Sequence, residues 1–389
     1  MRDFLSERAK NIQPSGIRKF FDIVSNRKDV ISLGVGEPDF ITPWEIRDEA
    51  IKTLKSGYTQ YTSNKGLPLL RQEISNYLLD NFSVEFNPEN IMITVGASEA
   101  IDLSLRAVIN PGDEVLIPDP SYVSYKPIVE LLGGVPVPVP CGEDFKLKKN
   151  LLEEKITDRS KVLIYSYPNN PTGAIMTESD QREILDVIAK NDLLVIADEI
   201  YAELTYVKEG HCSIAKFEQL KDRVIYVSGF SKAFAMTGWR IGFACAPKMI
   251  LDTMLKIHQY SIICAPIFSQ YGALAGLKQC RRDGYKMIKD MATEYDKRRR
   301  FMYKTFLEMG LSLHEPQGSF YVFPCVKSTG MTGEEFATRL LDEKKVAVVP
   351  GDAFGEFGKY YVRCSYAYSM KTLIEATSKI AEFIDELKR

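Results

Sequence analysis

The sequence S-G-F-S-K-A-F-A-M-T-G-W-R-I-G-F occupies residues Ser228–Phe243. It directly follows an apolar run, Val224–Val227, that is typical of a buried strand. Its lysine, Lys232, lies among small and apolar residues, and Arg240 follows eight positions later. Lysines are usually solvated at the surface, but an amine in apolar surroundings beside another cation loses basicity. The pattern therefore predicts a lysine that can form imines with carbonyl compounds.

Most of the neighbouring apolar runs are continuous rather than alternating, as in strands that are covered on both faces. The predicted strands are Ile91–Val95, Glu114–Ile117, Val135–Val139, Val162–Tyr165, Leu193–Ala197, Val224–Val227 and Ile241–Cys245. Helical segments lie between them, at Ser98–Val108, Leu147–Lys155 and Thr177–Lys190. This alternation predicts an α/β fold in which helices wrap a mostly parallel, seven-stranded sheet.

The pattern changes after Pro247. Long helical stretches are predicted at Lys248–Gln279, broken near Pro266, and at Asp283–Met309. The charged residues of Glu294–Arg300 should form a solvated helix face. Short strands and further helices follow, at Ser319–Phe323, Gly333–Glu343, Val346–Val349, Tyr361–Cys364 and Met370–Lys388. These elements predict a second, smaller α+β layer.

Composition excludes several classes of function. The 389 residues are 45% hydrophobic and 26% charged, as in ordinary globular proteins, and the net charge of -2 gives no field for nucleic acid or anionic membrane. No apolar run approaches the length of a membrane span, and the first residues lack the apolar core of a signal peptide. The seven cysteines are spread singly and the three histidines lie far apart. We therefore expect free thiols, a cytoplasmic location and no metal site.

Two segments have the form of ligand sites at the edge of a sheet. T-V-G-A-S-E-A ends a strand and opens a helix, so the N–H groups of Gly96, Ala97 and Ser98 lie at a helix N-terminus, which favours an anion. Asp198 ends another strand, where α/β proteins bind ligands. A plain strand-to-helix turn and a helix N-cap are the alternatives for these two segments.

The whole chain resembles the class I and II aminotransferases, fold-type I enzymes that depend on pyridoxal 5'-phosphate (PLP). The segment around Lys232 is close to that family's cofactor-lysine signature. The other matching motifs, in the family's order, are V-G-E-P-D-F, Y-T-Q-Y-T-S-N-K-G, G-A-S-E-A, P-S-Y, Y-P-N-N-P-T-G, D-E-I-Y and Y-V-R-C-S. The resemblance is greatest to the bacterial aspartate, aromatic and N-acetyl-diaminopimelate branch. It implies a large domain of residues 41–280 and a small domain formed by residues 1–40 and 281–389.

The resemblance also implies cofactor-binding residues. Asp198 would pair with the pyridine nitrogen, Tyr201 and Asn170 would hydrogen-bond the phenolic oxygen, and Tyr122 would stack on the ring. The phosphate would be bound by Gly96, Ala97, Ser98, Arg240 and a nearby serine. Many relatives carry that serine three residues before the lysine. Here the position is Gly229, so Ser231 or Ser228 would replace it.

Substrate and subunit contacts are implied in the same way. Arg363 would hold the substrate α-carboxylate through two hydrogen bonds, close to the backbone of Gly36, and Tyr122 and Asn170 belong to the same substrate set. Tyr61 would reach the phosphate of the neighbouring subunit, which implies a homodimer with shared active sites. Lys232, freed from the cofactor, would act as the general base, with Asp198 and Tyr201 in the catalytic set.

The implied reaction is amino transfer from an L-amino acid to a 2-oxo acid such as 2-oxoglutarate. Aspartate, aromatic and acylated diamino acids remain open as donors. The segment in which the dicarboxylate-specific branch has an arginine offers only His258, Gln259 and Tyr260. Residues Pro14–Phe21 resemble the mobile segment that closes over substrate, and its Arg18 and Lys19 could meet a distal carboxylate.

Two alternatives remain open from sequence. A PLP-dependent carbon–sulfur β-lyase would have nearly the same cofactor residues. A PLP-binding regulator without catalytic activity would need a winged-helix extension and a basic face. Whatever the function, the motif N-N-P-T-G predicts a turn. A cis bond between Asn170 and Pro171 is conceivable within it.

Overall fold

A mostly parallel sheet forms the centre of the computed structural model, which describes residues 2–14, 16–17 and 29–388. The strands, β1 to β12 in chain order, are Ile31–Ser32, Ile91–Thr94, Glu114–Asp119, Val135–Pro140, Ser160–Ser166, Leu194–Asp198, Val224–Gly229, Gly242–Cys245, Tyr321–Val322, Val346–Ala347, Val349–Pro350 and Val362–Ser365. Seven of them form one sheet in the order β2-β8-β7-β6-β5-β3-β4. Only β8 runs antiparallel to its neighbours in that sheet. The predicted α/β fold is confirmed.

Successive residues of the central strands point into two different hydrophobic layers. On β5, Leu163 packs with one cluster and Ile164 with the other, and Val195 and Ile196 of β6 do the same. All four side chains are fully buried. A strand that is covered on both faces needs apolar residues at every position, which explains the continuous apolar runs.

Helices cover both faces of the sheet. The helices of the described residues, α1 to α12, are Glu7–Asn11, Trp44–Lys55, Pro68–Phe82, Gly96–Val108, Tyr125–Leu132, Lys149–Glu153, Glu178–Lys190, Lys248–Ser261, Ile267–Asp283, Lys286–Glu308, Gly333–Lys344 and Met370–Leu387. The predicted break near Pro266 lies between α8 and α9. Helix α7 begins with a capping box, because Thr177 accepts the Asp180 N–H while the Asp180 side chain accepts the Thr177 N–H.

Two smaller sheets lie outside the central one. Strand β1 pairs in parallel with β10, so a segment near the N-terminus joins one near the C-terminus. Strands β11, β12 and β9 form an antiparallel sheet. The division into residues 41–280 and 1–40 with 281–389 stays a prediction, although α9 runs through position 280.

Two details of the prediction were wrong. Residues 346–349 do not form one strand, because β10 and β11 belong to different sheets. The segment Glu294–Arg300 is not a solvated face throughout, since Arg298 and Arg299 are buried. The Arg298 guanidinium forms ion pairs with Asp39 and Glu294 and lies over the Tyr295 ring. In the part of the chain that the structure describes, no helix is long and apolar enough to cross a bilayer.

A close glycine contact joins the sheet to the N-terminus of α4. A Cβ added at Gly242 would lie 2.5 Å from the carbonyl carbon of Gly96 and 2.6 Å from the nitrogen of Ala97. These are backbone atoms, so they cannot move aside as a flexible side chain would. The spacing of β8 and α4 therefore requires glycine at position 242.

We expect Gly242→Ala to lower the free energy of unfolding by about 1–3 kcal/mol, the usual range for overpacking. Urea unfolding of the cofactor-free protein measures this change. Gly238→Ala is the matched control, because a Cβ at Gly238 would have no atom of the described residues within 4 Å. Equal losses in the two variants would contradict this account of the contact.

Candidate active site

The carboxyl ends of three adjacent parallel strands meet at one edge of the central sheet. Strand β5 ends at Ser166, β6 at Asp198 and β7 at Gly229. A cavity of about 400 Å³ opens at this edge. The predicted site residues that line it are Gly36, Ala97, Ser98, Tyr122, Asn170, Asp198, Tyr201, Ser231, Lys232, Arg240 and Arg363. The topology thus brings together side chains that are more than 300 positions apart in sequence.

The Lys232 amine lies inside this cavity. Its Nζ donates a hydrogen bond to the Gly36 carbonyl at 2.6 Å and lies 5.7 Å from the centre of the Tyr201 ring. Burial, together with the nearby guanidinium groups of Arg363 and Arg240, lowers the pKa of the Lys232 amine to about 8. The carboxylates of Glu37 and Asp198 oppose this lowering of the pKa. A substantial fraction of the amine is therefore neutral, and so nucleophilic, near neutral pH.

Asp198 is the buried carboxylate of the site. Its Oδ2 accepts a hydrogen bond from Tyr125 Oη at 2.6 Å, and its Oδ1 accepts one from the Ile200 N–H at 3.3 Å. The Tyr125 hydroxyl also lies 2.9 Å from Ser166 Oγ. Burial raises the pKa of Asp198, and the bond from Tyr125 opposes that rise. Sequence analysis missed Tyr125, although its position three residues after Tyr122 in a helix start was a usable signal.

The N-terminus of α4 and Arg240 form a compact anion site. Gly96 has a positive φ of 76°, and a Cβ there would lie 2.7 Å from Arg240 Nη2. Ala97 and Ser98 line the cavity, whereas Gly96 is not among its lining residues. Free N–H groups of a helix start and a guanidinium both favour an anion such as phosphate.

The two candidate serines differ in position. Ser231 lines the cavity, whereas Ser228 lies within β7 and its hydroxyl donates to the Glu199 carbonyl at 3.5 Å. A side chain is excluded at Gly229, since a Cβ would lie 2.9 Å from the Gly242 Cα. Ser231 is therefore the serine that the fold presents to a ligand.

Arg363 is held between two aromatic rings. Its guanidinium carbon lies 4.3 Å from the centre of the Tyr321 ring and 4.8 Å from that of Phe354. Nη1 donates to Asn170 Oδ1 at 2.9 Å and Nη2 to the Gly34 carbonyl at 2.6 Å, while the buried Nε has no hydrogen-bond partner among the described residues. The stacking fixes the plane of the guanidinium, which suits a planar carboxylate.

Tyrosines form much of the remaining wall. Tyr201 Oη and Tyr321 Oη are 2.9 Å apart, and the Tyr122 and Tyr125 rings meet edge to face at 5.5 Å. Tyr321 was not predicted as a site residue. A Cβ at Gly36 would overlap its hydroxyl, which explains the need for glycine there.

Tyr61 does not reach this cavity within its own chain. Its side chain is 78% exposed, so its predicted contact with a neighbouring subunit stays a prediction.

The residues considered for a distal pocket lie elsewhere. His258 is fully buried with Nδ1 2.9 Å from Glu99 Oε1, and Tyr260 is 89% exposed. Ile17 lines the cavity, but Arg18 and Lys19 fall outside the described residues. The cis proline bonds follow Asp119 and Tyr167, so the bond between Asn170 and Pro171 is trans.

Comparison with known proteins assigns the family. Residues 28–380 match the family described as "Aminotransferase class I and II". The aspartate aminotransferase of Pyrococcus abyssi is 45% identical over 99% of both chains. YugH of Bacillus subtilis, whose name goes no further than aminotransferase, is 48% identical over 99% of both chains. The Thermus thermophilus aspartate aminotransferase with maleate aligns at a TM-score of 0.92 with 32% identity, over 98% of this chain and 100% of that one.

The fold and the site thus define a fold-type I, PLP-dependent enzyme. The chain belongs to the class I and II aminotransferase family. Proteins of this family transfer amino groups between amino acids and 2-oxo acids.

The residues of the cavity fit PLP. The group carries a phosphate, a basic ring nitrogen, a phenolic oxygen and an aldehyde. The helix start with Arg240 suits the phosphate, the buried Asp198 suits a protonated nitrogen, and the amine of Lys232 suits the aldehyde. Gly96 leaves room for the guanidinium that a Cβ would displace.

We expect Tyr125→Phe to lower kcat/KM for amino transfer by about tenfold or more, because Asp198 loses a hydrogen bond to a charged group, typically about 1.5–3 kcal/mol. The pKa of Asp198 should rise as well, since the bond from Tyr125 lowers it. Steady-state kinetics measure the loss. Ser166→Ala is the control, because it removes the other partner of the same hydroxyl, and its loss should be clearly smaller. A greater loss in Ser166→Ala would contradict the assignment.

We also expect the rate at which cofactor-free protein takes up PLP covalently to rise with pH through about 8 and to level off above it. The reason is that the neutral form of Lys232 reacts, and its pKa is lowered to about 8 from the ordinary 10.5. Stopped-flow absorbance at a series of pH values measures this rate. A midpoint near 10.5 would show that the amine is solvated.

Proposed function

We propose that this enzyme transfers the amino group of an L-amino acid to a 2-oxo acid such as 2-oxoglutarate, with Lys232 as the general base. The observation that carries this proposal is the placement of a buried amine within electrostatic reach of two arginines and of the carboxylates of Glu37 and Asp198. Two arginines suit two anions, the cofactor phosphate and the substrate α-carboxylate. The Lys232 amine is near both arginines, so it would lie close to the reacting carbon of a substrate held by them.

Each residue then has a chemical role. Arg363 binds the α-carboxylate through a rigid guanidinium, and Arg240 with Ala97, Ser98 and Ser231 binds the phosphate. Asp198 keeps the ring nitrogen protonated, while Tyr201 and Asn170 donate to the phenolic oxygen and Tyr122 covers the ring. PLP, when bound, supplies an electron-poor ring that accepts the electron pair of a broken Cα–H bond.

The proton transfer falls to Lys232. Its Nζ removes the proton from the substrate Cα and returns it to the neighbouring cofactor carbon. A general base works best when its pKa is close to the working pH, and a pKa of about 8 meets that condition. Fixing the carboxylate on Arg363 orients the Cα–H bond toward the amine, which favours transfer over loss of the carboxylate or the side chain.

The charged residues that line the cavity narrow the choice of amino donor. The described cations that line the cavity are Lys232, Arg240 and Arg363, and each already has a role. A donor with an uncharged distal group, aromatic or acylated, therefore fits the described cavity better than aspartate. Aspartate would need a further cation from the segment around Arg18 or from a second subunit.

A homodimer is part of the proposal. Exposed apolar and aromatic residues cluster on one part of the sequence, between positions 41 and 69. They are Ile41, Trp44, Ile51, Leu54, Tyr58, Tyr61 and Leu69. Such a surface is expected to be covered by a partner, and Tyr61 would then complete the neighbour's phosphate site.

The test is the visible spectrum of PLP-loaded protein mixed with aspartate, tyrosine, phenylalanine or an N-acetyl diamino acid. We expect at least one donor to bleach the visible band, an aromatic donor fastest, and to release the matching 2-oxo acid. Adding 2-oxoglutarate should restore the band and form glutamate. Lys232→Ala should lower turnover by at least about 100-fold, the lower range of general-base contributions.

The lyase alternative gives a different result in the same assay. Release of pyruvate and ammonia from a cysteine conjugate, without formation of glutamate, would favour a β-lyase. Full turnover by Lys232→Ala would overturn the proposal.

A further inference from the structure

A pair of contacts joins the edge of the central sheet to the loop that follows β11. The Asp119 carboxylate, at the end of β3, accepts the N–H of Glu356 on Oδ2 at 3.2 Å. The N–H of Ser121 donates to the Phe354 carbonyl at 2.9 Å. Asp119 is only 6% exposed. The two ends of this link are 237 residues apart in sequence, and Glu356 lies in a segment outside the central sheet.

The loop is shaped around this carboxylate. Gly355 has a φ of 139°, a conformation that L side chains rarely adopt. A Cβ at that position would also overlap Asp119 Oδ1. Both facts require glycine at 355, so that the backbone can approach the carboxylate closely.

The same loop contributes one wall of the Arg363 site. The guanidinium carbon of Arg363 lies 4.8 Å from the centre of the buried Phe354 ring and 4.3 Å from that of Tyr321. The carbonyl of Phe354 is the atom bonded to Ser121, and the bond to Asp119 comes two residues later. The link therefore fixes the ring that holds Arg363 in plane.

We propose that Asp119 is a positioning residue for the substrate carboxylate, acting through the loop at Phe354–Glu356 on the guanidinium of Arg363. This inference rests on the proposed role of Arg363. Asp119 is not among the described residues that line the candidate active-site cavity. Its effect should therefore appear in substrate binding rather than in the proton transfer at Lys232.

The charge of Asp119 should also matter. Burial raises the pKa of Asp119 to about 6, with the Glu356 carboxylate raising it and the Lys126 ammonium and the N–H groups of Glu356 and Phe357 lowering it. The Cys141 thiol also faces it but has a pKa of about 12, so it stays neutral. Below pH 6 the carboxyl is protonated and accepts the loop N–H groups more weakly. Substrate KM should then rise as the pH falls through 6.

The test uses the holoenzyme with the donor that bleaches fastest and with 2-oxoglutarate. We expect Asp119→Asn to raise KM for both substrates about fivefold, the difference between a charged and a neutral acceptor, while kcat and the PLP dissociation constant change less than about twofold. The rise in KM below pH 6 should be lost in this variant. Glu356→Gln is the matched control, because it removes a neighbouring exposed charge and keeps the backbone N–H, and its KM should be unchanged.

A second variant tests the same link with Asp119 intact, in case Asp119→Asn fails to fold. Phe354→Leu keeps the Asp119 contacts but removes the ring over Arg363, so it should raise KM in the same way. The KM of the double variant, Asp119→Asn with Phe354→Leu, should not exceed that of the more affected single variant, because both changes act through the same link.

An unchanged KM in Asp119→Asn, or equal loss of kcat, PLP affinity and thermal stability, would overturn this inference while leaving the aminotransferase function intact. Absence of amino transfer by the unaltered enzyme with every donor would instead contradict the proposed function.

Discussion

The burial of one amine among cations is the constraint on which the rest of this site depends. Lys232 lies in a cavity with the guanidinium groups of Arg240 and Arg363 and with the buried carboxylate of Asp198. Removing so many charges from water is costly unless they are paired. The positive groups suit a site that would receive anions, and they add to burial, which is the main cause of the lowered pKa of the amine. Anion binding and activation of the lysine thus share one contributing cause.

The fold supplies this arrangement by aligning strand ends. Because β5, β6 and β7 are parallel, Ser166, Asp198 and the segment before Lys232 end at one edge. Glycine contacts then set the distances, since β7, β8 and the start of α4 approach with no room for side chains between them. The antiparallel sheet of β11, β12 and β9 adds Tyr321 and Arg363 to the lining of the cavity. We therefore expect the substrate to bind between the edge of the central sheet and the antiparallel sheet.

Much of the fold and of the candidate site could be predicted from sequence. The residues that were missed or wrongly predicted share one physical reason. The central strands were predictable because burial on both faces requires continuous apolar runs. Lys232 and Asp198 were predictable because each directly follows or ends such a run. Tyr125 was missed because its partner Asp198 is 73 positions away. Arg298 was predicted to be solvated because its partner Asp39 is 259 positions away. A local sequence pattern indicates burial and turns, but it does not indicate which distant polar group a side chain contacts.

We expect the buried Lys232 to be the residue to which PLP attaches. Reduction of the PLP-loaded protein with borohydride makes the link permanent, and mass spectrometry of its peptides then locates it. We expect the added mass on the peptide that contains Lys232 and on no other lysine. Attachment to a different lysine, or no attachment at all, would contradict the account, because the lowered pKa and the placement beside Asp198 would then have no role in binding the cofactor.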